Sequence, residues 1–178
     1  MKHLFTAAIV AIIATVSIIG FSSFTSKKST ANAATCYAIN LESMTKSGTT
    51  QTWEWSLYNP NPGNGNNGTL QNLSHWDIPL NAAAEAALVS AEYSIDGGIT
   101  WIAVPLEVER DPAIRMCTGV DVLKFNVGTV GSQTNLYRVV FSQEFGLSPW
   151  ATSYVKTGGG LQGCNMQYYA GLGAKQLD

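Results

Sequence analysis

The chain has 178 residues, 12% charged and 46% hydrophobic, with a formal net charge of −2. After Ala34 seven basic residues stand against twelve acidic ones, a net of −5, so no basic patch is expected to hold a phosphate backbone and nucleic acid is excluded as a partner. His75 is the single histidine beyond Ala34 and no two cysteines show Cys-x-x-Cys spacing, so a two-histidine site and a structural zinc are set aside; no metal or cofactor is expected.

In chain order, Lys2 and His3 make a short positive start, and residues 4–21 are an uncharged apolar run. Ala31-Asn32-Ala33 then supplies the small-x-small pattern of a signal peptidase site. Residues 1–33 read as a bacterial-type export signal, and 34–178 as one domain of about 145 residues, secreted or held at the cell surface or in the periplasm. The polar spacer between apolar core and cleavage site is long, so an uncleaved membrane anchor is the second reading of this segment.

Short β-type runs punctuated by Gly, Asn, Pro and Ser fill the rest. They fall at Cys36 to Leu41, Thr50 to Tyr58, Leu73 to Ile78, Leu88 to Ile95, Thr100 to Val108, Val122 to Val127, Leu136 to Ser142, Ser153 to Lys156 and Met166 to Tyr169. Asn81 to Ala87 is the one helical stretch, with Asn81 as its cap. The spacing predicts an all-β protein, an antiparallel β-sandwich of Ig-like or jelly-roll type. Within Thr50 to Tyr58, alternation puts Trp53, Trp55 and Leu57 on a core face and Glu54 towards solvent.

Two turns stand out. Asn59 to Thr69 carries five asparagines, three glycines and no carboxylate, which predicts a long exposed loop and argues against a hard-cation site. Ser94-Ile95-Asp96-Gly97-Gly98-Ile99-Thr100-Trp101 joins two apolar runs through Asp-Gly-Gly, a strong hairpin signal. Its Ser-x-Asp-x-Gly-x-Thr-Trp pattern resembles an Asp-box, the hairpin repeated in sialidase-type β-propellers. There it is a folding device away from the active site, so the resemblance implies architecture and no activity. One copy in about 145 residues cannot build the minimum of roughly four blades. Trp101 is expected in the core.

An export signal permits disulfides, and three cysteines allow one bridge with one thiol left over. Cys36 to Cys164, closing the ends of the sheet, is the preferred pairing, with Cys36 to Cys117 and Cys117 to Cys164 as alternatives. Groups suited to catalysis are few. His75 and Asp77 share a strand face without a Gly-x-Ser-x-Gly nucleophile, and Glu107 and Glu109 share another without a cleft between them. Gly158-Gly159-Gly160 lacks the Lys-Ser/Thr of a phosphate loop.

The expectation is therefore a non-catalytic binding or interaction module for an extracellular protein or glycan. Its candidate surface is the Asn59 to Thr69 loop, with Asn64, Asn66 and Asn67, and the aromatics beside loops, Tyr58, Trp76 and Trp150. A carbohydrate-binding module, a secreted glycan hydrolase and a structural matrix subunit are the alternatives. A membrane is a partner only if the leader stays uncleaved.

Overall fold

The computed structural model describes residues 36–106, 108–109, 119, 121–157 and 165–175. The export segment, Cys117, Cys164, Glu107, the Glu109 side chain and Gly158-Gly159-Gly160 lie outside the described residues, and with them the Cys36 to Cys164 bridge.

Among the described residues, ten strands and one short helix follow the chain. They are β1 (Ala38–Ser47), β2 (Thr50–Tyr58), β3 (Leu73–Pro79), α1 (Ala82–Ala87), β4 (Leu88–Ser94), β5 (Ile102–Ala103), β6 (Val108–Glu109), β7 (Val122–Phe125), β8 (Thr134–Phe141), β9 (Phe145–Thr157) and β10 (Met166–Lys175). They form two five-stranded antiparallel sheets, ordered β1-β2-β8-β4-β5 and β10-β9-β3-β7-β6, packed as an all-β sandwich. The Asn81 side chain caps α1 by accepting from the Ala84 amide at 2.9 Å.

Alternation along β2 buries Trp53, Trp55 and Leu57 fully. Facing them, β3 supplies Trp76 and Ile78, β7 supplies Leu123 and Phe125, and β9 and β10 supply Val155 and Tyr169. Trp76 is the hub: its ring meets those of Trp55, Phe125, Tyr137 and Tyr169 with centroids 5.1–5.8 Å apart. This corrects its reading as an exposed aromatic. β3 lies between β9 and β7, and a register shift between Leu73 and His75 puts both Leu73 and Trp76 on the inner side.

Two buried glutamines clasp the sheets together by imitating a strand partner. Gln51 donates Nε2–H to the Phe145 carbonyl at 3.1 Å and accepts from the Phe145 amide at 2.8 Å. Gln167 does the same to Tyr37 when its amide is oriented with nitrogen towards the Tyr37 carbonyl and oxygen towards the Tyr37 amide, both at 3.1 Å. Each clasp satisfies one backbone N–H and one backbone C=O with a single side-chain amide.

Four strand expectations change, the first being β10, which runs to Lys175, six residues past the expected Tyr169. The run from Thr100 is two two-residue pieces, β5 and β6, on different sheets, with Pro105 between them removing a ladder donor. β1 continues past Leu41 to Ser47 through a bulge. β9 starts at Phe145, eight residues before the expected Ser153, because the Gly146 and Pro149 that read as loop punctuation sit inside the strand. Trp101 also departs from expectation: it is half-buried outside the core, with the Arg138 guanidinium 3.9 Å from its ring centroid.

Candidate functional site

The Asn59 to Thr69 loop is built largely on itself. Asn59 is buried, accepts from the Asn61 amide and donates to the carbonyls of Leu70 and Gln71. Asn61 donates to the Gly68 carbonyl at 2.8 Å, Asn64 Oδ1 accepts from the Asn66 amide at 3.0 Å, and the Thr69 hydroxyl donates to the Asn66 carbonyl at 2.7 Å. Asn67 takes φ of 53°, a left-handed conformation that asparagine tolerates. Much of the amide chemistry that suggested ligand recognition is thus spent on holding the loop's own backbone. Asn64, Asn66 and Asn67 are exposed, and Tyr58 is half-buried at the end of β2, paired with Ala38 and Thr134.

Trp150 lies elsewhere. The loop enters β3 at Leu73, opposite Thr157 of β9, and Trp150 is seven residues back along that strand, roughly 23 Å at the rise of a strand. No shared surface joins Trp150 to the loop through Trp76, which is in the core.

What surrounds Trp150 is a built feature. On β9, Val155 and Ala151 pack on the core, so Trp150 and Thr152 project to the outer face, while Tyr154, next in that alternation, is buried at 7% exposure. On β10, Tyr169 and Gln167 turn inward, and Tyr168 and Met166 outward. Trp150 is 74% exposed and Tyr168 61% exposed, and their rings meet edge to face with centroids 6.5 Å apart and planes 83° apart.

A bulge sets Trp150 in place. Tyr169 pairs with Ala151 and Gly171 with Ser148, so Pro149 and Trp150 together oppose Ala170. Proline is tolerated there because the bulge asks for no ladder donor. The Trp150 amide turns back to the Ser148 hydroxyl at 3.3 Å. The Ala170 carbonyl, displaced from the ladder, accepts from Trp55 Nε1 at 2.8 Å. A core indole from the opposite sheet therefore satisfies the bulge that presents Trp150 outside.

Besides the exposed Lys46–Glu144 pair, two charged groupings lie among the described residues. His75 and Asp77 are both buried, with Nε2 and Oδ2 3.1 Å apart, and Tyr154 stands opposite Asp77 across the β3–β9 ladder. On the outer face of the other sheet, Glu54, Arg138 and Glu92 stand in one cross-strand row. Arg138 donates Nε and Nη2 to Glu92 Oε2 at 2.9 and 2.6 Å. Partial burial raises the Glu54 carboxyl above its ordinary value, opposed by Arg138 and assisted by Glu42. Among the described residues no three His, Cys, Asp or Glu side chains converge on a metal position, and no helix is long and apolar enough to cross a membrane.

Tyr168 is the partner that the sequence reading missed. Its signal was the alternation of Met166-Gln167-Tyr168-Tyr169, in which Tyr169 takes the core side and Tyr168 the other, but the pairing with Trp150 depends on a register that no local pattern encodes. No protein-family model, curated protein or solved structure matches the chain.

Proposed function

We propose that this protein is an exported, non-catalytic binding module that takes a carbohydrate on the outer face of β9 and β10. The observation that carries the reading is the Trp150–Tyr168 pair. Two aromatic side chains, one aimed by a bulge and the other meeting it edge to face, and both left more than half in water, contribute little to the core. Trp and Tyr combine a broad apolar face with a polar tip and lose few rotatable bonds on contact, which suits the alternating apolar faces and hydroxyl edges of a sugar. Thr152, across from Tyr168 in the ladder, brings a hydroxyl to the same face.

The test is a glycan array followed by titration under tryptophan fluorescence. Three of the five tryptophans, Trp53, Trp55 and Trp76, are buried and Trp101 is half-buried under Arg138, so an emission change that is lost in Trp150→Ala reports on Trp150. Trp150→Ala is expected to abolish that change while leaving unfolding stability within about 0.5 kcal/mol of wild type, the usual range for an exposed site. An array without signal above background, or full binding retained by the double variant Trp150→Ala/Tyr168→Ala, would remove the proposal.

A further inference from the structure

Two properties of the same aromatic pair narrow its ligand, on the premise that the face binds glycan. The first is charge. From Phe145 to Val155 and from Asn165 to Ala174 there is no charged residue; Glu144 precedes β9, Lys156 stands near its end and Lys175 ends β10. Recognition of a carboxylate or sulfate on a glycan draws on Arg or Lys with charge-assisted hydrogen bonds, and neither strand supplies one beside the rings. The second is orientation. With planes at 83°, the faces of Trp150 and Tyr168 stand almost at right angles, so a flat crystalline surface can lie on one ring but not on both. Met166, 43% exposed and two residues from Tyr168 on the same face, extends the apolar strip by roughly 7 Å along β10.

We infer that the site takes a neutral polysaccharide as a single free chain, one sugar stacked on Trp150 with its edge against Tyr168 and the next running towards Met166. A separate, flexible chain can turn from one ring face to the other, whereas the sugars of a lattice share one plane.

The experiment measures the intact exported protein against soluble neutral hexasaccharides of β-1,4-linked glucose, mannose and N-acetylglucosamine, and against crystalline cellulose, mannan and chitin. Uronic acid and sulfated oligosaccharides form a third arm. The expected result is saturable binding to at least one neutral hexasaccharide, at least as tight as to the crystalline form. Trp150→Ala and Tyr168→Ala should each weaken it by about thirtyfold, the lower limit of an interface hot spot. Trp150→Phe, which keeps a ring face, should retain most of the affinity, and circular dichroism of each variant separates lost contact from lost fold. Binding to crystalline polymers alone, or tighter binding to the charged oligosaccharides, would overturn this inference and leave the carbohydrate reading standing. Absence of binding in all three arms would overturn both.

Discussion

Asp96 shows how much one side chain can do without burial. Its carboxylate accepts from the Thr100 amide at 2.9 Å, from the Thr100 hydroxyl at 2.5 Å and from the Ser94 hydroxyl at 2.7 Å, closing the turn in which Gly97 and Gly98 take φ of 75° and 90°. The Thr100 hydroxyl and amide bonds, followed by the Ser94 bond, hold its pKa at about 2 against an ordinary 3.8. A depressed carboxylate adds stability that is present above the unfolded value and fades as pH falls towards the folded one, so the loss falls between about pH 4 and pH 2. Asp96→Asn should start from a lower urea midpoint at pH 6 and lose less of it by pH 2.5 than wild type. Parallel declines for the two proteins would show that Asp96 is not a source of the acid lability. The hairpin was legible because its turn chemistry is local. The destination of Trp101 was not, since Arg138, which covers it, comes from β8, far along the chain.

At the scale of elements, the decisive features are places where strands break their own rules. The β9 bulge depends on Trp55, whose indole N–H reaches the Ala170 carbonyl from the other sheet. Trp55→Phe keeps a large ring in the core but leaves that carbonyl unpaired, at a cost of about 1–3 kcal/mol in chemical denaturation. Because the same bulge aims Trp150, this variant should also weaken glycan binding, a second readout that a simple packing loss would not move. The turn from β7 to β8 rests on a different constraint. A Cβ on Gly128 would lie 1.7 Å from the Leu73 carbonyl oxygen, where the next residue's carbonyl, at Thr129, accepts from the Leu73 amide at 3.1 Å. Gly128→Ala should therefore lower stability by about 1–3 kcal/mol or more, whereas the same change at Gly119, where no atom of the described residues lies within 4 Å of the added Cβ, should leave the midpoint near wild type. Equal midpoints for the two variants would refute the close approach. Neither position announces itself in the sequence, where each is one of 17 glycines.

For the molecule as a whole, the two sheets close over an aromatic core whose phenols are shielded from ionisation. Burial pushes the Tyr37 phenol up to about 12 and those of Tyr137 and Tyr169 higher still, from an ordinary value of 10.0. The neutral form is the one the fold accommodates. The stability these groups confer is complete below pH 10 and drains away as pH rises through the folded values. Alkaline titration should show a late phenolate absorbance step that coincides with loss of the near-ultraviolet dichroism of the packed rings. Complete ionisation with the dichroism intact would contradict the burial.

The alternation of Trp53, Trp55 and Leu57, the turn at Asp96-Gly97-Gly98, the Asn81 cap and the Asn/Gly loop are all encoded within a few residues. The sequence alone therefore determined an all-β chain, the inner face of β2 and the position of most turns. Which strands neighbour one another, where the bulges fall and which aromatics end outside were decided by the tertiary structure. Trp76 and Trp150 both border turn residues and look equivalent in the sequence. One became the hub of the core because the register of β3 turns it inward with Leu73 and Ile78, and the other was turned to solvent by a bulge satisfied from the opposite sheet. Side-chain direction in a strand has a period of two, so one extra residue reverses it, and whether an extra residue is accommodated depends on partners distant in the chain.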